Sequence, residues 1–265
     1  MIDTHCHIDD PCYLQDLDAV IRRQKEGGVE IILVPGVNLE SCTSVPELCS
    51  RYPEYLRPAL GLHPEDVKAD WQEVLGKIRE TVFHYSELFP KSSPLVAIGE
   101  VGLDYHFSTE FKAEQHVVFR KQLEWALELN LPVMVHSRDA TEDTLRIIRE
   151  YYENSSERLT GVMHCYSGSK EIAKEYVKMG WKLGVGGVLT FKNSKLPETL
   201  RDIPLESLVL ETDAPYMAPV PHRGEVNESR WMMYVAEKLA EVYAMEKKDI
   251  IETTNRTAKA LFCLK

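Results

Sequence analysis

The sequence contains no long hydrophobic run, because none of its apolar stretches approaches the roughly 20 residues that a membrane-spanning helix needs. Its N-terminus lacks the basic segment followed by an apolar segment that marks a secretory signal peptide. None of the six cysteines forms a CxxC pair, and scattered cysteines favour reduced thiols over a disulfide framework. We therefore expect a cytoplasmic protein without a membrane anchor, and no feature indicates an obligate protein partner.

Positive charge is also scarce, because 31 Lys and Arg residues stand against 42 Asp and Glu residues, for a formal net charge of −11. The broad basic face that is typical of proteins binding duplex DNA is therefore not expected. A nucleic-acid substrate is not excluded by this charge, because bound cations can dominate the local field inside a pocket.

What the sequence does contain is a regular alternation of apolar, β-branched runs and helical patterns. Eight buried strands alternating with helices predict an α/β fold with a parallel sheet closed into a (β/α)8 TIM barrel, a single domain over residues 1–265. A doubly wound open sheet is the alternative. Helical periodicity is clearest around residues 14–21, 111–127, 172–179, 229–244 and 247–264. The predicted strands cover residues 1–8, 29–37, 56–62, 95–103, 131–136, 160–165, 181–188 and 208–212.

Histidines and carboxylates lie at the ends of six predicted strands. Near the start of the chain, His5 and His7 are two residues apart, so in a strand both side chains point to the same face. In a (β/α)8 barrel, the carboxyl ends of the strands form the end that carries catalytic residues. The residues at this end of the predicted barrel are His5, His7, His63, Glu100, His136, His164, Glu211 and Asp213.

Each of these residues, taken singly, has an ordinary explanation as a rim histidine, a loop cap or a turn residue. Together they are imidazoles and carboxylates whose burial without partners would be costly, and a divalent cation removes that cost. Such ligands suit Zn²⁺, Mn²⁺ or Fe²⁺. Four histidines and two carboxylates exceed the needs of one four-coordinate ion, so we predict two ions about 3.5–4 Å apart.

The predicted ligands divide between the two ions. Glu100, from the middle of the order, is the predicted bridge. Glu211 shares a strand face with Asp213, two residues later. It is interpreted either as a residue that orients a metal ligand through a hydrogen bond or as a buried structural carboxylate. The hypothesis assigns His5, His7 and Asp213 to one ion, and His136 and His164 to the other.

Seven stretches, in this order, resemble the TatD-type metal-dependent deoxyribonucleases, within the amidohydrolase superfamily of barrels: DTHCHID, GLHPE, AIGEVGLDY, PVMVHSR, HCYSG, LETDAP and PHRGEVNES. They run from residue 3 to about residue 229 and so span almost the whole chain. Many members of the superfamily carry a carboxylated lysine after the fourth strand, whereas this chain has Glu100 there, as TatD-like proteins do. The resemblance implies two divalent ions (Mg²⁺, Mn²⁺ or Zn²⁺) on the six ligands His5, His7, Glu100, His136, His164 and Asp213.

The predicted reaction is hydrolysis of a phosphodiester bond by a water whose pKa the metals lower. Glu100 and Asp213 are predicted to act in catalysis, with Asp213 accepting the proton of the water. The resemblance places His63 on the scissile phosphate as the third catalytic residue, and Arg223 is a second candidate for binding phosphate oxygens.

Single-stranded DNA ends are the predicted substrate. A narrow barrel mouth and an acidic surface favour strand ends over intact duplex, and the resemblance suggests a 3′–5′ exonuclease. Four aromatic residues near the strand ends are candidates for stacking on unpaired bases: Tyr105, Phe107, Tyr166 and Tyr216.

One motif departs from the family pattern, because residues 223–229 read RGEVNES where the family commonly has RGKRNEP. Two basic positions have become Glu225 and Val226, which weakens the case for a grip on a DNA backbone. The alternative function is therefore a related hydrolase acting on a small ester, amide or phosphoester. A barrel kept as a non-catalytic metal-binding scaffold is disfavoured, because it predicts missing ligands and none is missing.

Overall fold

A computed structural model describes residues 1–154 and 159–264 of the chain. Its strands form one eight-stranded sheet in which β1 to β8 follow each other in chain order, with parallel pairing. This is the strand order of the predicted (β/α)8 TIM barrel, and it excludes the doubly wound alternative. The strands are β1 (Ile2–Asp3), β2 (Ile31–Gly36), β3 (Leu56–Leu60), β4 (Ala97–Asp104), β5 (Val133–Arg138), β6 (Gly161–Met163), β7 (Lys182–Val185) and β8 (Leu208–Leu210).

Helices separate the strands, and those that lie outside the five predicted helical stretches include α3, α4, α5, α7 and α9. Within the described part of the chain, none of the helices has the length and apolar content that a membrane span requires. The helices are α1 (Pro11–Leu14), α2 (Leu17–Glu26), α3 (Ser41–Arg51), α4 (Trp71–Phe83), α5 (Tyr85–Leu88), α6 (Lys112–Leu129), α7 (Thr141–Asn154), α8 (Lys170–Lys178), α9 (Leu196–Leu200), α10 (Met232–Tyr243) and α11 (Lys247–Leu261).

Each predicted strand is confirmed in position but is shorter than predicted at one or both ends, or is shifted by a residue or two. The largest difference is at β1, which ends at Asp3. Beyond it the backbone alternates between two neighbours, because the amide of Thr4 donates to the carbonyl of Leu210 and that of Cys6 to Leu33. The chain past β1 is therefore held firmly, although only two residues count as strand.

The chain divides into two compact units. The first unit comprises Met1–Val34 and Cys165–Lys265, and large side chains such as Tyr176, Trp181 and Phe262 lie in its core. The second unit comprises Pro35–His164. Its core includes the fully buried side chains of Leu60, Ile78 and Phe119. The prediction of one domain over the whole chain stays a prediction.

Candidate metal centre

In the first unit, two histidines and one aspartate form a cluster, called here the first cluster (His5, His7 and Asp213). The Nε2 atoms of the two imidazoles lie 3.2 Å apart, so both side chains point to the same side, as predicted. The Oδ1 atom of Asp213 lies 3.7 Å from Nε2 of His5 and 3.6 Å from Nε2 of His7. Three donor atoms of the kinds that bind divalent cations therefore face one another at short range.

A buried carboxylate positions the backbone on both sides of the first cluster. Asp3 is fully buried, and its Oδ1 accepts hydrogen bonds from the backbone amides of His5 and Thr212. Its Oδ2 accepts from the hydroxyl of Thr212, at 2.7 Å. Burial raises the pKa of Asp3 to about 7, against the lowering effect of these hydrogen bonds. Asp3 thus joins the segment carrying His5 to the segment carrying Asp213.

Asn227 holds the loop that follows Asp213. Its side chain is fully buried, and Nδ2 donates to the carbonyls of Thr212 and Tyr216, at 3.0 and 2.7 Å. Its backbone amide donates to the carbonyl of Pro215. Asp213 itself has a left-handed backbone conformation, with φ of 56°, which Asp adopts more readily than most residues. The carboxylate of Asp213 therefore projects from a loop of fixed shape.

In the second unit, three histidines surround one glutamate, and we call these residues the second cluster (His63, Glu100, His136 and His164). Oε1 of Glu100 lies 3.0 Å from Nδ1 of His136 and 3.6 Å from Nε2 of His63. Nε2 of His164 lies 3.8 Å from the same oxygen. Glu100 is only 4% exposed, so three imidazoles surround a carboxylate that is almost completely buried.

An irregularity in β4 places Glu100 in this position. The register between β4 and β5 shifts between Ile98 and Val101, as in a β-bulge, and such features re-aim side chains next to active sites. Gly102 lets the two strands approach, because a Cβ atom there would lie 1.9 Å from the carbonyl oxygen of His136. The glycines of the AIGEVGLDY stretch are thus required by geometry.

Asp104, at the end of β4, binds the other nitrogen of His136. Its Oδ2 lies 2.8 Å from Nε2 of His136, while Nδ1 of the same ring faces Glu100. Burial would lower the pKa of His136, but the hydrogen bonds to the two carboxylates raise it to about 9. A histidine that binds a metal through one nitrogen is typically held by a carboxylate on the other, and Asp104 is placed for that part.

His63 is oriented by the turn that follows β3. Its Nδ1 accepts a hydrogen bond from the amide of Glu65, at 3.2 Å. In the neutral ring the proton then resides on Nε2, the atom that faces Glu100. His63 therefore presents a hydrogen-bond donor within the second cluster.

Glu211 lies in the first unit and is 1% exposed. Its Oε1 accepts from the backbone amide of Cys165, the residue that follows His164, at 2.6 Å. Gly184 makes room for it, because a Cβ atom there would lie 2.1 Å from Oε2 of Glu211. Of the two interpretations of Glu211, this contact favours the one in which it orients a segment that carries a candidate ligand.

Arg223 is not brought into the first cluster by the described structure. Its guanidinium lies over the ring of Phe191, 3.7 Å from the centroid, in an exposed loop. The four candidate aromatic residues separate into two kinds. Tyr105 and Tyr166 have hydroxyl groups bonded within the protein, whereas Phe107 is 69% and Tyr216 57% exposed.

Sequence reasoning assigned no role to Asp3, Asp104 and Asn227, although all three lie in the motifs quoted above. A signal was available for the first two. Asp104 is four residues after Glu100, and Asp3 is two residues before His5, so each shares a strand face with a candidate ligand. Asn227 carries no such periodic signal, because its role depends on backbone contacts made by a loop.

Comparison with known proteins gives consistent matches. A family model described as "TatD related DNase" matches residues 2–263. "Uncharacterized metal-dependent hydrolase YabD" of Bacillus subtilis is 41% identical over 263 residues, which cover 99% of this chain and 98% of that protein. "Uncharacterized metal-dependent hydrolase YcfH" of Escherichia coli K12 is 31% identical, over 99% and 95% of the two chains. The crystal structure of YJJV, a TatD homologue from Escherichia coli K12, has a TM-score of 0.89 and 30% identity, and covers 100% of this chain and 98% of its own.

Proposed function

We propose that this protein hydrolyses phosphodiester bonds in DNA. The proposal starts from the family, because the chain belongs to the TatD-related DNase family and is a metal-dependent hydrolase. The family model supports a nucleic-acid substrate by its description alone. The observation that carries the proposal is the second cluster, in which three imidazoles approach a single buried carboxylate oxygen.

The donor atoms of both clusters fit divalent cations. In the first cluster the three donor atoms lie within 3.7 Å of one another. In the second, one ligand atom from each of Glu100, His136 and the neighbouring His63 lies within 4.8 Å of the others. We propose that two divalent ions, Mg²⁺, Mn²⁺ or Zn²⁺, bind at the six residues His5, His7, Glu100, His136, His164 and Asp213. In the proposed division, the first cluster would hold one ion, and His136 and His164 would hold the other. When bound, such ions neutralise negative charge on phosphoryl oxygens and make water more acidic.

Asp213 and His63 carry the proposed proton and phosphate contacts. The side chain of Asp213 is 17% exposed, so a water molecule can reach the carboxylate and transfer a proton to it. Nε2 of His63 donates a hydrogen bond to a phosphoryl oxygen, which its orientation by the Glu65 amide supports. Arg223 contributes only if its guanidinium leaves the ring of Phe191, and we propose it as a contact to a more distant phosphate.

The proposed substrate is a single-stranded DNA end, shortened from the 3′ side. The net charge of −11 favours a small contact area with a DNA end, because a broad surface that binds duplex DNA is normally basic. The replacement of two basic family positions by Glu225 and Val226 favours the second candidate, a hydrolase of small esters, amides or phosphoesters. A cytoplasmic location is proposed from the scattered cysteines, none of which forms a disulfide in the described part of the chain.

A comparison of substrates tests the proposal. Protein loaded with Mg²⁺, Mn²⁺ or Zn²⁺ is incubated with single-stranded oligonucleotides labelled at the 5′ end, with the matching duplex, and with a panel of small esters, amides and phosphoesters. We expect a ladder of products shortened from the 3′ end on the single strand and slower cleavage of the duplex. Turnover of a small substrate without any oligonucleotide shortening would select the second candidate. No turnover with any metal would contradict both.

A further inference from the structure

Phe107 is unusual among the aromatic residues because so much of its ring is exposed. It lies in the loop between β4 and α6 and is 69% exposed, more than any other large hydrophobic residue in the described part of the chain. Exposing a phenylalanine ring in this way gives up the favourable burial of a large apolar surface. The ring is therefore accessible to another molecule.

Cationic and aromatic neighbours flank this ring. The guanidinium of Arg138 lies 5.0 Å from the ring centroid, and the imidazole of His106 packs edge-on at 4.8 Å. His106 is in turn fixed by Asp139, whose Oδ2 lies 2.8 Å from Nδ1 of His106. His106 thus packs against the ring, and Arg138 adds positive charge beside it.

A cavity of about 220 Å³ lies directly against Phe107. This volume is several times the roughly 30 Å³ that one water molecule occupies in the liquid, so the cavity has room for a group of the size of a single nucleobase. Its walls combine the apolar side chains of Val67 and Phe111 with polar and charged groups of both signs, which include Ser108, Lys68, Glu65 and Glu110. Such a lining suits a flat aromatic group with polar edges.

Asp104, which lies beside the second cluster, forms part of the cavity wall. The same carboxylate binds Nε2 of His136 at 2.8 Å. A molecule in the cavity is therefore one side chain away from a proposed metal ligand.

We propose that this cavity is a nucleobase subsite, in which one unpaired base of a single-stranded substrate stacks on Phe107 beside Arg138. The subsite rests on the proposed function, because it assumes an oligonucleotide substrate. Stacking on an aromatic ring recognises any base, so the subsite selects single strands without selecting sequence. A duplex end does not fit, because its bases are paired and stacked on one another.

Substitution of Phe107 gives the first arm of the test. We expect Phe107→Ala to lower kcat/KM for a single-stranded oligonucleotide by about 5- to 150-fold, mainly through KM, the range of base–aromatic stacking. Phe107→Trp, which keeps an aromatic ring, should retain most of the activity. Leu88→Ala is the matched control, because Leu88 is also largely exposed (55%) but lies in α5. Thermal unfolding of all variants shows that each is folded.

Abasic nucleotides give the second arm. A single abasic residue is moved through the last positions of the oligonucleotide, and one position should reproduce in the wild-type protein the loss caused by Phe107→Ala. On that substrate, Phe107→Ala should cause no further loss, because the two changes remove the same contact. Additive losses at every position would overturn the subsite.

The two arms separate failure of the subsite from failure of the proposed function. Wild-type protein that shortens oligonucleotides, with Phe107→Ala equal to Leu88→Ala, would contradict the nucleobase subsite alone. Wild-type protein that shortens no oligonucleotide would contradict the proposed function and, with it, the subsite.

Discussion

The two clusters contain the same kinds of donor atoms but are organised differently. In the first cluster the carboxylate–imidazole distances are 3.6 and 3.7 Å, and the two imidazole nitrogens approach to 3.2 Å. In the second cluster His136 lies within hydrogen-bonding distance of two carboxylates, at 3.0 and 2.8 Å. Side-chain hydrogen bonds thus preorganise the second cluster, whereas backbone contacts made by Asp3 and Asn227 position the first.

The two clusters should therefore be sensitive to changes at different residues. The second cluster should respond most to changes in the carboxylates that hold its histidines. The first should respond most to changes in the buried residues that shape its backbone.

Asp213→Asn should cause the largest loss. It removes the proposed proton acceptor from the first cluster while leaving the shape of the side chain, so we expect kcat to fall by about 10²- to 10⁴-fold. Single-turnover kinetics on a substrate cleaved by the wild-type protein measures the effect, and metal analysis of the same sample separates lost chemistry from lost metal. A kcat within twofold of wild type would remove Asp213 from the catalytic role.

Asp104→Asn should act on the second cluster by way of His136. Because the carboxylate orients the imidazole and increases its basicity, we expect metal affinity to fall by about 10- to 100-fold for one ion. Asp139→Asn is the matched control, since Asp139 makes a similar 2.8 Å contact to an exposed histidine, His106. Calorimetric titration with Mn²⁺ measures both variants, and equal affinities would refute a positioning role for Asp104.

Asn227→Ala should affect the first cluster through its loop. The substitution leaves the buried carbonyls of Thr212 and Tyr216 without the side-chain donor, which costs about 2 kcal/mol of unfolding free energy. It should also lower kcat, because Asp213 loses its fixed placement. Asn255→Ala is a control for the loss of an asparagine hydrogen bond, since Asn255 lies in α11 and accepts from the amide of Ile2, at 2.9 Å. Denaturant unfolding and kinetics are measured for both variants. Full activity of Asn227→Ala, equal to that of Asn255→Ala, would show that Asn227 does not position Asp213.

Asp143→Asn should have the smallest effect, because it changes an ion-pair network on the surface of the second unit. Arg146 and Lys112 contact Asp143 at 2.7 and 3.1 Å and lower the pKa of its carboxyl group. The ionised group therefore stabilises the folded state above the usual pKa of an aspartate, and this contribution is lost as the pH falls through the depressed value. For so exposed a network we expect less than about 1 kcal/mol, measured by unfolding at pH 7 and again at acidic pH.

The fold was predictable from the sequence because strand and helix periods alternate strongly. All eight strands lie where apolar runs predict them. The ends were less predictable, as at β1, because its continuation divides its hydrogen bonds between two neighbours. Helix α10 begins three residues later than predicted, since residues 229–231 form a 3₁₀ turn.

Parts of the candidate site were also predictable, because strand ends in this fold converge. The i, i+2 spacing predicted the shared direction of His5 and His7, and the convergence of strand ends predicted their approach to Asp213. It could not anticipate the hydrogen bond between Asp104 and His136, which depends on the shifted register of β4. Nor could it show that Arg223 lies over Phe191, because loop conformations follow no sequence period.

Metal stoichiometry of single-histidine variants measures whether each of the two clusters holds an ion of its own. Wild-type protein, His7→Ala and His136→Ala are loaded with Mn²⁺, freed of excess metal and analysed for bound ions, with thermal unfolding to show that each is folded. The account predicts two ions per chain in the wild-type protein and one in each variant. Loss of both ions or of neither in a folded variant, or a wild-type protein that binds none, would contradict it.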